Sequence, residues 1–123
     1  MADVVETVAF SCPGGDRSST LAVRPVDLAH LGRQTMGDRA LEQEVLGLFV
    51  QQLATIADRI EAGDHAERRQ LGHTLRGSAA GVGAFALSEC AAEIEAAPGN
   101  LELITKLSVL IAETRDFIAT INR

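Results

Sequence analysis

The sequence predicts an all-α protein, an antiparallel four-helix bundle with a short extra helix on its N-terminal side. Three observations favour this fold. Apolar residues recur at helical spacing from Val26 onward, the segments between the apolar stripes are short, and the 123 residues include four Phe but no Trp or Tyr. A chain of this length forms one domain with one core. Consecutive helices joined by short loops pack as antiparallel neighbours.

The first 25 residues differ in pattern from the rest of the chain. Two β-favouring runs, VVETVAF and TLAV, flank the turn-rich cluster SCPGGDRSS. Residues 1–25 are therefore predicted to form an N-terminal arm or a weak hairpin, and the pattern does not decide between the two. The helical bundle is predicted over residues 26–123.

Capping residues, glycines and prolines mark the ends of five predicted helices. Met36-Gly37 ends the short first helix, and the long second helix runs to about Ala62. The fourth runs from about Ala84 to Ala97, before Pro98-Gly99. The first, second, third and fifth helices begin after residues that can cap an N-terminus: Asp27, Asp38, Asp64 and Asn100, respectively. The residues predicted to face the core are, helix by helix, Leu28 and Leu31; Val45, Phe49, Leu53, Ile56 and Ile60; Leu71, Leu75, Ala79 and Val82; Leu87, Cys90, Ala91 and Ile94; and Leu103, Leu107, Leu110, Ile111, Ile118 and Ile121.

The charge and the N-terminal residues limit the expected partners and location. Eleven basic and seventeen acidic residues give a net charge of −6, which disfavours nucleic acids and anionic membranes as partners. Asp3 and Glu6 stand where a secretory signal needs positive charge, and no apolar run approaches the roughly 18 residues of a membrane span. We therefore expect a cytoplasmic protein. Cys12 and Cys90 lack CxxC spacing, and a buried free thiol at Cys90 is favoured over a disulfide.

The stretch GHTLRGSAAGVG, residues 72–83, places a histidine among glycines within the third predicted helix. At about 100° per residue, His73 lies opposite the face that carries Leu75 and Ala79, so its imidazole is predicted to be exposed. Exposed helix positions usually carry long polar side chains, whereas Gly77 and Ala80 leave space beside His73. We interpret this surface as a platform on which a partner protein reaches the imidazole.

The charges of the third helix favour an anionic partner for this histidine. Three arginines, Arg68, Arg69 and Arg76, outnumber the single acidic residue of the helix. A cationic patch beside an exposed imidazole suits a phosphoryl group or an acidic protein surface. A neutral imidazole can also act as a nucleophile through its unprotonated nitrogen. The other ring nitrogen carries the proton, and Glu95 in the fourth helix is a candidate acceptor for that N–H. Taken singly, each of these residues fits an ordinary surface side chain, and it is their combination that favours a phosphoryl site.

The segments HTLRGSAAGVGA and LSECAAEIE closely resemble the signature of the histidine-containing phosphotransfer (HPt) domain family in its stand-alone bacterial form. That signature is H-x-L-K/R-G-S-x-x-x-hydrophobic-G, then a leucine, then a helix ending in an acidic or amide residue, and the resemblance covers roughly residues 26–122. It implies that His73 accepts a phosphoryl group, that Arg76 helps to hold this group and that Glu95 orients the imidazole. Arg76 stands where lysine is more usual in the family, and Glu95 where several relatives have glutamine. The implied binding face consists of Gly77, Ala80, Arg69 and Gln70.

The resemblance implies a phosphorelay intermediate. A phospho-aspartyl receiver domain, such as that of a hybrid histidine kinase, would phosphorylate His73, which would pass the group to the receiver of a response regulator. Such a protein is a phosphocarrier rather than an enzyme, is expected to be a monomer, and needs no cofactor of its own because the receiver binds the Mg²⁺.

Three other functions are alternatives to a phosphorelay intermediate. A helical adaptor could dock receivers without being phosphorylated, and phosphorylation of His73 separates that function from the relay. A dimeric, kinase-like phosphotransferase would need a second domain. A metal protein is disfavoured because His30, His65 and His73 lack the i, i+4 pairing of helical metal ligands.

Overall fold

A computed structural model of the chain describes residues 24–122, and all regular secondary structure in this range is helical. The predicted all-α class is confirmed. The predicted N-terminal arm or hairpin, apart from its last two residues, lies outside the described residues, as does Cys12. The described helices are α1 (Leu28–Gln34), α2 (Arg39–Ile60), α3 (His65–Val82), α4 (Phe85–Ala96) and α5 (Leu101–Ile121). None of them is both long and apolar enough to cross a lipid bilayer.

Four helices begin at the predicted caps, whose side chains each accept a hydrogen bond from a backbone N–H in the first turn: Asp27, Asp38, Asp64 and Asn100. The start of α4 differs, because its cap position is Ala84 and makes no side-chain hydrogen bond. Here the chain turns at Gly83, whose φ of 90° lies in the left-handed region that favours glycine. A Cβ atom on Gly83 would also lie 2.9 Å from the carbonyl oxygen of Asp27.

The core consists mainly of aliphatic side chains from all five helices, with Phe49 and Cys90 among them and Val26 and Ala84 outside the helices. Its most extensive helix pair is α3 with α4; α2 also packs on α3 and α5, α4 packs on α5, and α1 packs on α3. The buried faces largely follow the predicted stripes, but at one position in the first half of α2, α3 and α5 the adjacent residue is the buried one. Buried are Leu46, Gly72 and Ile104, while Leu28, Val45, Leu71, Leu103, Leu110 and Ile121 are half-buried.

Arg68 is buried, so its predicted place in the cationic patch beside His73 is wrong. It does not belong to a cationic surface patch, because it is only 9% exposed. Its guanidinium donates hydrogen bonds to the carbonyl oxygens of Ile60 at 2.8 Å, Glu61 at 2.6 Å and Pro98 at 3.2 Å. The bonds to Ile60 and Glu61 satisfy carbonyls at the C-terminal end of α2, which ends at Ile60, close to the predicted end near Ala62. Arg68 therefore joins the end of α2 to the segment between α4 and α5.

Candidate functional site

His73 lies in the middle of α3 on its exposed side. Its side chain is 57% exposed, whereas Leu75 and Ala79 of the same helix are fully buried. The helical rotation between these positions, about 100° per residue, accounts for this difference. The structure thus places the imidazole where a second molecule can reach it.

Glu95 of α4 contacts the imidazole. Its Oε2 lies 3.0 Å from Nδ1 of His73, and its side chain is 25% exposed. A carboxylate can only accept a hydrogen bond, so Nδ1 must carry the proton and donate it. The lone pair of the neutral ring then resides on Nε2. Of the two ring nitrogens, Nε2 is therefore the one with a lone pair available for reaction.

Arg76, one turn after His73, completes a three-residue cluster. Its Nη1 lies 3.1 Å from Oε1 of Glu95, and its Nη2 lies 3.4 Å from Nδ1 of His73. The contact with Glu95 is an attraction between charges, because within residues 24–122 the buried Oε1 has no partner with hydrogen-bond geometry. Nδ1 already donates to Glu95 and cannot accept from Arg76. The guanidinium, 48% exposed, therefore keeps donors free for another anion.

Two glycines leave the surface of α3 open beyond this cluster. A Cβ atom on Gly77 or Gly81 would have no described atom within 4 Å outside its own helix backbone and chain neighbours. Gly77 was predicted to leave such a gap, whereas Gly81 was not singled out. Ala80, predicted to lie on the same open surface, is half-buried. The open strip therefore follows Gly77 and Gly81 rather than Ala80.

Arg69 and Gln70 are exposed but are not drawn into the cluster. Gln70 donates a hydrogen bond to Oγ1 of Thr74 at 3.4 Å. In the described part of the chain, neither Arg69 nor Gln70 forms a hydrogen bond or ion pair with His73. Their location would suit them to contact a partner, whereas His73, Arg76 and Glu95 contact one another.

An apolar groove of about 410 Å³ lies between α2 and α3, beside the open strip. Leu48 on its α2 side is 61% exposed. Ser78 and Gln52 link its two sides, because Ser78 Oγ donates to Gln52 Oε1 at 2.7 Å. The available sequence signal for this groove was Leu48, an apolar residue outside the predicted core stripe of the second helix. Its lining residues are Val45, Leu48, Phe49, Gln52, Ser78 and Val82.

Two further residues set how closely α4 approaches the cluster, and sequence reasoning missed both. Ser88 Oγ donates a hydrogen bond to the backbone carbonyl of Arg76 at 2.9 Å. Gly72 is buried against α4, so close that a Cβ atom would lie 2.8 Å from the carbonyl oxygen of Ala91. A glycine on the buried face of an amphipathic helix was the available signal for Gly72. Ser88 carried no comparable signal.

Among residues 24–122, no three His, Cys, Asp or Glu side chains gather into a group that could hold a metal ion. Comparison with protein families shows that the family described as "Hpt domain" matches residues 44–121. The matched segment includes His73, Arg76 and Glu95. Searches of curated proteins and of solved structures found no match.

Proposed function

Because the chain belongs to the Hpt domain family, whose members take part in phosphotransfer in two-component phosphorelays, we propose that it is a phosphorelay intermediate phosphorylated on His73. The observation that carries this proposal is the 3.0 Å contact between Glu95 and Nδ1 of the exposed His73. In the neutral ring, this contact leaves the free lone pair on Nε2, on a surface open to another protein. His73 is thus the phosphoacceptor, Arg76 the phosphoryl contact and Glu95 the orienting residue.

The transfer step uses these three side chains as follows. The lone pair of His73 Nε2 attacks the phosphorus of a receiver aspartyl phosphate. The bond between phosphorus and the aspartate oxygen breaks, and its electron pair leaves on the aspartate carboxylate. The phosphorylated ring keeps its Nδ1 proton and becomes cationic, so the nearby carboxylate of Glu95 balances the new charge. Arg76 pairs with the phosphoryl oxygens. The reverse step delivers the group to the aspartate of a second receiver.

The proposed partners are the receiver domain of a hybrid histidine kinase and those of response regulators. The receiver supplies the Mg²⁺ and its acidic pocket, and this chain acts as a monomeric phosphocarrier without a cofactor of its own. Docking over Gly77 is supported by its open surroundings and by the adjoining groove between α2 and α3. Arg69 and Gln70 would contact the receiver at the other side of His73.

The arrangement of helices that presents this site is also inferred. We assign α2 to α5 to an antiparallel four-helix bundle, with α1 as a short extra helix. Contacts of α2 with α3, α3 with α4, α4 with α5 and α5 with α2 support this arrangement, because they close a ring of four helices. The packing of α1 on α3 supports its place outside that ring.

The direct test is phosphorylation by a receiver. The full chain, incubated with a receiver that carries a radiolabelled phosphoryl group, should acquire an acid-labile and alkali-stable label. His73→Gln should abolish the label, while His65→Gln, at the start of the same helix, should retain it. Label that persists in His73→Gln would refute the assignment. A chain that binds the receiver but is never labelled would instead be a docking adaptor, the alternative function.

A further inference from the structure

Gly72, the residue before His73, lies at a point of very close approach between α3 and α4. A Cβ atom at this position would lie 2.8 Å from the carbonyl oxygen of Ala91, 3.3 Å from the backbone nitrogen of Glu95 and 3.6 Å from its Cα. Two of these three atoms belong to Glu95 itself. The space that a side chain would occupy is therefore filled by the backbone that carries the carboxylate contacting His73.

A side chain at position 72 cannot be accommodated by a local adjustment. The atom at 2.8 Å is a backbone oxygen of α4, so no rotamer change removes the clash. The helix itself must move, by roughly 0.5 Å, before the contact becomes an ordinary van der Waals distance. Ser88 holds an earlier turn of α4 through its 2.9 Å hydrogen bond to the Arg76 carbonyl. The displacement therefore falls mainly on the later turns of α4, which include Glu95.

We propose that Gly72 is a positioning residue for phosphotransfer: its missing side chain lets α4 lie close enough for Glu95 to hold the Nδ1–H of His73. Moving the carboxylate away weakens that hydrogen bond and allows the ring proton to shift to Nε2. A ring protonated on Nε2 lacks the lone pair that attacks phosphorus. The effect on transfer rests on the proposed function of His73, whereas the effect on the ring tautomer does not.

The experiment compares Gly72→Ala with Gly81→Ala in the full chain. Both variants replace a glycine of α3 with alanine, but no described atom outside the helix lies near a Cβ at Gly81, so Gly81→Ala controls for helix propensity in the tautomer measurement, which involves no receiver. Ring-nitrogen NMR at a pH where the imidazole is neutral should show the Nδ1–H tautomer of His73 in the wild type and in Gly81→Ala. Gly72→Ala should shift the population toward the Nε2–H tautomer. The rate of transfer from a phosphorylated receiver should fall roughly 10-fold in Gly72→Ala.

A double-mutant cycle tests whether Gly72 acts through Glu95. In a Glu95→Ala background, adding Gly72→Ala should cause no further loss of transfer rate, because the contact that Gly72 protects is already absent. Independent losses in the two variants would overturn the proposal. An unchanged tautomer and rate in a folded Gly72→Ala protein would overturn it as well.

If Gly72→Ala does not fold, Glu95→Asp withdraws the carboxylate without adding an atom between the helices, and the same tautomer shift is expected. Retention of the Nδ1–H tautomer in Glu95→Asp would show that the position of the carboxylate does not control the ring, and the proposal would fail. If the wild type is never phosphorylated, the proposed function fails, while the tautomer comparison still decides the role of Gly72.

Discussion

Replacing Arg68 with methionine should lower the free energy of unfolding by about 2–4 kcal/mol. Methionine retains much of the apolar stem but removes the guanidinium that serves the carbonyls of Ile60, Glu61 and Pro98. Glu61 is exposed, so water can replace its lost bond. Ile60 and Pro98 are buried, and each carbonyl left without a donor costs about 1–2 kcal/mol. The loss is a large part of the roughly 5–15 kcal/mol that stabilises a small domain.

Urea unfolding followed by circular dichroism measures this change as a lower midpoint with an unchanged slope. The matched control is Arg69→Met, since Arg69 is the exposed neighbour of Arg68 on the same helix. It should change stability by less than about 0.5 kcal/mol. A loss below about 1 kcal/mol in Arg68→Met, or equal losses in the two variants, would refute the assignment of Arg68 as a buried link between α2 and the α4–α5 segment.

Three further predictions concern the site and the core. Gly77→Ala should stabilise the free protein by about 0.5–1 kcal/mol in thermal unfolding, because its Cβ meets no described atom, yet weaken receiver binding in titrations; unchanged affinity would contradict the docking role. Arg76→Ala should slow phosphotransfer roughly 10- to 100-fold without unfolding the protein, since the side chain is 48% exposed; an unchanged rate would remove Arg76 from the site. Burial raises the pKa of the Cys90 thiol, an effect that Lys106 partly offsets. A thiol reagent should therefore label Cys90 slowly until the chain unfolds, and stability should decline as pH rises above the unfolded thiol pKa of about 8.5; rapid labelling of the folded protein, located by peptide mapping, would contradict this.

Local chemistry made much of the fold predictable. A cap such as Asp38 acts within its own first turn, so its role follows from neighbouring residues alone. The exposure of His73 could likewise be predicted, because a helix turns by a constant angle and Leu75 and Ala79 mark the opposite side. The residues of the HPt signature could be named because the resemblance lies in two short segments of the sequence, residues 73–84 and 87–95.

Tertiary structure decided what depends on distance between helices. The sequence predicts that His73 is exposed and that Glu95 lies near the edge of an apolar face, but their 3.0 Å contact depends on how closely α4 packs at Gly72. It also could not separate buried Arg68 from exposed Arg69, because the carbonyls that bind Arg68 lie up to 30 residues away along the chain. A helix repeats its own geometry wherever it forms, whereas burial and side-chain pairing depend on which neighbour packs against it and how closely.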